Sequence, residues 1–525
     1  MSGRTLPAGT EITRSHAIPG VLSWVVVIAT VVGTLAFPQL WAVFGALFLA
    51  YFIGRMAVHF TFYLVGEVRC RAWARRNWAA TEDEPGIGGV KPSDVWHVVL
   101  VPNYTESPQV LHRTLSALAV QHRAAERLFV VLGMEQREAA AAEKAEKLIA
   151  EFDGRFARMM ATYHPADIEG EIPCKAANQR FAAIAARAEL ERMGIDPAVV
   201  TVTSCDADSV IHPAYYAAVS ELFARDERRY SRFWEAPLFY YNNIWDVPAP
   251  IRFSSWFTHV GMLGELAMPW FEPLPISTYT LSLKMAEECD WWDPAVISED
   301  WHIYLDCMVQ RDGDVCMTPV FLPVHSDAAD GDGFFSAMKN RYDQVLRHAW
   351  GAEDVGFLFE AMRARGVKQS HLFRFGHVLH EHVFRVWTWF VLTTLPLVNR
   401  AATSYAAADD LGVVVMSSLD KIVPTLYTLG MVFLFGAIAL DLVRFPPKSR
   451  WHFPGVVVEL LVMWFMLPVT TFFLSMLPAL VAQTKLMLGI PLAWKVTPKS
   501  STPAGTVATL PLPAEAAEKP ASAAS

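Results

Sequence analysis

From Val21 to about Val65 the chain is almost continuously apolar, interrupted at Phe37-Pro38-Gln39 and followed by Arg71, Arg75 and Arg76. A membrane span needs about 20 apolar residues, so this length predicts two spans joined by a tight turn. Basic residues on both flanks predict that both ends face the cytoplasm. The run is too long for a cleaved signal peptide and has no convincing small-residue cleavage site. Trp73 to Ser93, with Pro85, Gly86, Gly88 and Gly89, reads as a polar connector.

Beyond it the pattern changes to short β-branched runs alternating with helical stretches. Strands are expected at 95–101, 128–132, 158–162 and 199–203, and helices at 108–121, 136–152 and 176–193. Alternation of this kind predicts a parallel sheet covered by helices on both faces. Apolar segments return at 377–398, 422–443 and 456–488, the last broken by Pro468 and Pro478 and read as one span with an interfacial helix or as a hairpin. Residues 405–420 carry acids but no Lys or Arg, as expected of an outer loop, whereas Arg444, Lys448 and Arg450 follow the next span.

The resulting division is a polar segment at 1–20, two spans within 21–66, a connector at 67–94, an α/β domain at 95–375, transmembrane or interfacial helices at 376–490, a short motif at 491–500 and an Ala/Pro/Ser-rich tail at 501–525, expected to be disordered. Composition fits this division. Hydrophobic residues make up 53% of the 525 and charged residues 18%, with a mean hydropathy of +0.25, which points to membrane spans. The net charge of −9 argues against a nucleic-acid partner, whose phosphates require clustered Lys and Arg. Six cysteines without a Cys-x-x-Cys pair read as buried thiols in a reducing compartment, and a zinc site is not expected.

The chemistry gathers where the strands end. The run at 198–208, Ala-Val-Val-Thr-Val-Thr-Ser-Cys-Asp-Ala-Asp, closes on Asp206 and Asp208. Ligands of open α/β sheets bind beyond the carboxyl ends of the strands. Two hard oxygen ligands there suit Mg2+ or Mn2+ bound together with substrate phosphates, the alternative being a strand-end turn. Glu106 and Glu135 follow the first two strands, each placed either to line a nucleotide crevice or to cap a helix. Lys175 at a helix start opposes the helix dipole, a conflict that a nearby phosphate would remove; the alternative is a solvated lysine. In Ser298-Glu299-Asp300 one carboxylate could act as general base, or the run caps a helix. On a helix Gln344, Arg347 and His348 share a face with Trp350 at its edge, and Arg clamps phosphate while Trp offers a flat face to a sugar.

The order Pro-x-Tyr-x-Glu (Glu106), Lys-x-x-Asn (Lys175), Asp-x-Asp (Asp206, Asp208), Glu-Asp (Glu299, Asp300) and Gln-x-x-Arg (Gln344, Arg347), set between apolar segments, resembles the membrane-bound family 2 glycosyltransferases, the cellulose synthase and hyaluronan synthase group. Trp494-Lys-Val496-Thr497-Pro-Lys499 is similar to the gating-loop motif of cellulose synthases. The resemblance spans about 98–499. It implies a GT-A-like, Rossmann-like cytosolic domain inserted between N- and C-terminal transmembrane helices in the cell (inner) membrane.

By resemblance, Asp208 with Asp206 holds the metal on the donor diphosphate and Asp300 is the base. Glu106, Glu135 and Lys175 lie against the nucleotide. Gln344 and Arg347 hold the diphosphate, and Trp350 and His348 the acceptor end. The sequence departs from the group at Glu135, which stands where an Asp-Asp pair is usual, in the two residues inserted before Trp350, and at Trp494 in place of Phe.

These readings predict an inverting transferase that uses Mg2+ or Mn2+ and moves a sugar from a nucleotide donor, a UDP-sugar by resemblance, to a growing polysaccharide. Transfer of one sugar to a lipid-linked acceptor is the alternative, and an inactive nucleotide-binding membrane scaffold is the rival from another class. A gating motif that reaches the active site requires an even number of crossings after His377.

Overall fold

The computed structural model of this chain describes residues 12–406, 410–444 and 453–492. The expected apolar pair is present as the helices Ile18–Ala36 and Pro38–Arg75. Pro38 at the start of the second sets the break, because proline cannot continue a helix but is accommodated in the first turn of a new one. The second helix runs past the expected end, to Arg75. Tyr63 and Cys70, both buried, belong to the core of the α/β body, so the last turns of this helix are packing elements and not a connector.

The sheet has seven strands in the order β3-β2-β1-β4-β8-β6-β9: β1 (Trp96–Pro102), β2 (Leu128–Glu135), β3 (Arg158–His164), β4 (Val200–Ser204), β5 (Val210–Ile211), β6 (Arg232–Glu235), β7 (Leu238–Phe239), β8 (Tyr279–Ser282), β9 (Cys316–Pro319) and β10 (Val324–His325), of which β5, β10 and β7 form a separate three-stranded sheet. β1 pairs in parallel with both β2 and β4, and β8 runs antiparallel to β4 and β6. The four expected strands are the parallel half. The other half escaped notice because β6, β8 and β9 have only four residues each, too short to show a period.

Alternation explains why the parallel strands read as unbroken apolar runs. In β1, Val99 and Val101 enter one core and Val98 and Leu100 the other; in β2, Val130 and Leu132 oppose Phe129 and Val131 in the same way. A strand buried on both faces leaves no polar position, and each such side chain contributes about 1.5–3 kcal/mol of burial. The helix Lys175–Arg192 covers one face through Ala176, Ala177, Ala182, Ala183 and Ala186, small residues that let helix and sheet approach closely. The chain passes from β1 to β2 and β3 on one side and returns to β4 on the other, so the sheet's switch point lies between β1 and β4, where ligand crevices form.

Four described helices are long and apolar enough to cross a membrane: Arg14–Ala36, Pro38–Arg75, Gly412–Leu440 and Leu467–Met487. The segment 377–398, expected as a span, lies within the helix Gln369–Ala406 but is not among the four, because His377, His380, Glu381, His382 and Arg385 dilute its apolar character. That helix packs against Ile18–Ala36, Pro38–Arg75 and Asp410–Arg444. The expected outer loop at 405–420 is mostly helical: Asp410–Arg444 begins inside it. The block at 456–488 is divided at its prolines into Phe453–Phe465, Leu467–Thr471, a π turn Phe472–Met476 and Leu477–Met487. The motif of Trp494, Val496, Thr497 and Lys499 and the tail lie outside the described residues.

Candidate active site

The strand ends converge as their order predicts. Asn103 and Tyr104 follow β1, Glu135 closes β2, and Cys205, Asp206, Ala207 and Asp208 follow β4. Glu106 Oε2 accepts the Tyr104 backbone N–H at 2.8 Å. The Arg137 guanidinium lies 4.1 Å from the Tyr104 ring centroid and its Nε is 3.3 Å from Glu135 Oε2. The Lys-x-x-Asn spacing puts Lys175 and Asn178 on one face of their helix. Asn178 Nδ2 donates to Gly133 O (2.9 Å) and Glu135 Oε1 (3.1 Å). Gly133 is required there, since a Cβ would collide with the Asn178 amide.

Lys175 is the centre of the site. Its Nζ is 2.7 Å from Asp206 Oδ1, 2.6 Å from Glu299 Oε1 and 3.4 Å from Asp300 Oδ1. It also donates to Ser277 O at 3.3 Å. The expected conflict with the helix dipole is therefore met by three carboxylates of the chain itself, not by a phosphate alone. Burial pulls the Lys175 pKa down, but Asp206, Asp300 and Glu299 together hold it well above the usual lysine value. Burial and the neighbouring Asp300 raise the Glu299 carboxyl against the pull of Lys175. Glu235, wholly buried behind them at the end of β6, is pushed well up by burial and accepts the Ile276 N–H at 3.1 Å.

Ser277 ties this cluster together. Its backbone N–H donates to Asp300 Oδ2 (2.9 Å), its hydroxyl to Asp206 Oδ2 (2.5 Å), and its carbonyl accepts from Lys175. It does so with φ at +66°, a conformation that costs a non-glycine residue about 1–3 kcal/mol and concentrates at functional sites. Ser298, just before the acidic pair, donates to Arg347 O at 3.0 Å and so links the Glu299–Gln310 helix to the helix Phe334–Trp350.

The two aspartates expected to share a metal are not equivalent. Asp206 lines the cavity with its side chain 26% exposed. Asp208 is only 2% exposed, and its Oδ2 accepts the Asp327 N–H at 3.0 Å. Among the described residues no group of three or more His, Cys, Asp or Glu is arranged to hold a metal ion by itself. A hard divalent cation can nevertheless be held by one or two carboxylates with substrate phosphates and water completing its shell. The donor set fits an ion held mainly by a diphosphate and anchored by Asp206.

The helix Phe334–Trp350 forms the opposite wall. Arg341, Gln344, Arg347 and His348 line the cavity, and Arg341 Nη1 donates to Gln344 Oε1 at 2.7 Å. Burial, then Arg347, Arg341 and Arg385, push the His348 imidazole down to about 3, so it is neutral. Trp350, expected at the acceptor end, is 3% exposed and turned into the helical core, where its Nε1 donates to Glu353 Oε2 at 2.8 Å. The aromatic side chain next to Asp300 on the cavity wall is Trp301. Sequence reasoning missed Trp301, Ser277, Arg137 and Arg385, and gave no role to Tyr104, the aromatic residue of Pro-x-Tyr-x-Glu. Trp301 and Ser277 adjoin motif residues or a turn, but no spacing rule marks any of the four.

The cavity measures about 1360 Å³ and continues from these groups between the helices Pro38–Arg75, Gln369–Ala406 and Asp410–Arg444. A more open hollow of about 720 Å³ lies by Asn399, Arg400 and Asp420, among helix residues.

No family model matches the chain, and no curated protein matches it. Among solved structures it is similar to the mannosyltransferase PcManGT from Pyrobaculum calidifontis in complex with GDP-Man and Mn2+, at 17% identity over 76% of this chain and 98% of that one, with a TM-score of 0.40. It is also similar to GalNAc-T7 with UDP, GalNAc and Mn2+, at 10% identity over 55% and 58% and a TM-score of 0.33, and to residues 1–349 of S. aureus TarS, at 11% identity over 65% and 92% and a TM-score of 0.29.

Proposed function

We propose that this chain is an inverting family 2 glycosyltransferase that moves a hexose from a nucleotide-sugar donor to an acceptor hydroxyl, with the α/β body at the cytosolic face of the cell membrane. The observation that carries this reading is the gathering of Asp206, Glu299 and Asp300 around Lys175 at the carboxyl edge of parallel strands, on the wall of a cavity that runs on between apolar helices. UDP as the nucleotide and a growing polysaccharide as the acceptor come from the motif resemblance alone. The narrower reading, one sugar passed to a lipid-linked acceptor, is favoured by the cavity's apolar continuation.

In this reading Tyr104, Glu106, Glu135 and Arg137 receive the nucleotide. Asp206, with Asp208 behind it, would hold Mg2+ or Mn2+, which when bound neutralises charge on the departing diphosphate. Asp300 takes the proton of the acceptor hydroxyl, and the hydroxyl oxygen attacks the anomeric carbon from the face opposite the leaving group. The bond from that carbon to the diphosphate oxygen breaks with its electron pair, and the configuration inverts. Lys175 and the Ser277 N–H hold the Asp300 carboxylate in place and aimed. Arg347 offers a planar fork to the diphosphate, and Trp301 offers a face to a sugar ring.

The test is release of nucleoside diphosphate from a panel of UDP- and GDP-sugars by the purified full chain in lipid with Mn2+ or Mg2+, comparing the native chain with Asp300→Asn. Release from one donor that disappears in the variant, while donor binding stays within a few fold, supports transfer. Failure of the protein to bind any nucleotide sugar would leave the scaffold reading in its place.

A further inference from the structure

Where the active-site cavity passes between the apolar helices, cations outnumber the carboxylates that could pair with them. Arg385 stands on the cavity wall in the helix Gln369–Ala406. Among the described residues it makes no hydrogen bond and no ion pair within 4 Å. One turn earlier His382 is 3% exposed, and neither of its ring nitrogens has a partner; one turn later Thr388 Oγ1 is buried without one. The spacing of three residues puts all three on one face of the helix, and all three line the cavity.

The neighbouring arginine shows what an ordinary pair looks like here: Arg55 Nη2 is 2.8 Å from Glu381 Oε1. Across the cavity Arg341 bonds Gln344 and faces the Tyr240 ring at 6.0 Å, again with no carboxylate in ion-pair range among the described residues. His348 lines the same cavity, close enough for Arg347, Arg341 and Arg385 all to act on its proton. The acid whose charge reaches Arg385 is Glu381, already paired with Arg55, and enclosed cations that share one carboxylate are costly unless a further anion joins them.

We propose that Arg341, His348 and Arg385 bind the phosphate head of an amphiphilic acceptor whose apolar chain lies in the helix-lined part of the cavity. Arg forks match phosphate geometry and charge, and the neutral His348 supplies a further hydrogen-bonding group. Beyond them the wall is formed by Phe52, Phe60, Trp389, Phe433, Trp464 and Leu474, a lining suited to a hydrocarbon chain. Of the hydroxyls that share this wall, those of Thr393, Thr471 and Tyr427 already donate to backbone carbonyls. The proposal rests on the transferase reading and narrows its acceptor to a phosphorylated lipid; an acidic glycan, whose carboxylates share the same chemistry, is the competing source.

The experiment uses the purified full chain in a nonionic detergent, with binding of dodecyl phosphate followed by tryptophan fluorescence and compared with dodecanol, inorganic phosphate and a uronic-acid oligosaccharide. Dodecyl phosphate should bind at least tenfold more tightly than the other three. Arg385→Gln should weaken it at least tenfold and Arg385→Lys much less, with nucleoside diphosphate binding changed less than twofold in either. Equal binding of dodecyl phosphate to the native chain and Arg385→Gln, or a preference for the oligosaccharide, overturns the proposal while leaving the donor site intact. Loss of nucleoside diphosphate binding in the native chain with dodecyl phosphate binding retained would defeat the transferase reading and keep the anion site.

Discussion

Ser277 donates its backbone N–H to Asp300 Oδ2 at 2.9 Å from a left-handed backbone, φ +66°. The same residue binds Asp206 through its hydroxyl, so one turn sets the relative position of the proposed base and the proposed metal-side carboxylate. The two bonds can be separated by substitution. Ser277→Ala and Ser277→Gly both lose only the hydroxyl, and a hydrogen bond to a charged group is worth about 1.5–3 kcal/mol. Each should lower kcat/KM roughly tenfold or more, and the melting temperature should fall only by what the one lost bond accounts for. Ser277→Pro loses the N–H and forces φ to about −65°, so turnover should vanish. Native kinetics in Ser277→Pro would remove Ser277 from its positioning role.

Lys175 holds three carboxylates at once, and replacing it should therefore hurt folding as well as catalysis. Removing one partner of a fully buried charge pair costs about 3–5 kcal/mol because the remaining charge is stranded; the cost here is smaller, since Asp206 and Asp300 are 26% and 28% exposed and only Glu299 is buried. Lys175→Met should lower the melting temperature of the detergent-solubilised protein and abolish turnover. Adding Glu299→Gln removes one stranded carboxylate and should restore part of the stability but none of the activity. Additive losses in the double variant would show that Lys175 and Glu299 do not interact.

The parallel half of the sheet was legible because β1, β2 and β4 are apolar or β-branched and buried on both faces, and the strand-end acids marked the crevice; β3 at the edge is half-exposed and showed only by its place in the alternation. The short strands β6, β8 and β9 were not, and with them went Ser277, which lies in the loop before β8 and has no motif of its own. Asp206 and Asp208 look alike in sequence; only the approach of Asp327 from the loop after β10 buries the second. Trp350 read as a sugar platform from its spacing to Arg347, yet helix packing turned it to Glu353. Arg385 sits with Glu381 and nearby histidines in an otherwise apolar segment, where such groups resemble an interruption, and its meaning comes from tertiary neighbours.

His302, one turn beyond Glu299 in the same helix, is paired with Asp354 at 2.6 Å, and both are buried. Burial pulls its pKa down, but Asp354, with smaller help from Asp293, pushes it up to about 10, from 6.5. A raised folded-state pKa means that the pair's stabilisation is complete below about pH 6.5 and fades as pH rises toward 10. His302→Gln should therefore lower the melting temperature clearly at pH 6, with the gap to the native protein narrowing as the pH approaches 10. A gap that is constant over this range would mean that packing against Phe357, and not the ion pair, carries the contribution.

The unequal burial of the two aspartates separates their roles in metal use. Chelation should abolish nucleoside diphosphate release, and Mn2+ or Mg2+ should restore it. Asp206→Asn removes the one carboxylate of the pair that lines the cavity and should raise the metal concentration for half-maximal activity at least tenfold, while the fold stays intact. Asp208→Asn leaves the cavity wall unchanged but weakens the acceptor of the Asp327 N–H, which in turn pairs with Arg113 at 2.5 Å. Its main effect should be on stability, about 1–3 kcal/mol for a weakened buried hydrogen bond, with a smaller shift in the metal requirement. Titrating Mn2+ against turnover in both variants, with melting curves alongside, decides the assignment. If Asp208→Asn shifts the metal requirement more than Asp206→Asn, Asp208 is the principal anchor, and its carboxylate must turn toward the cavity when the donor binds.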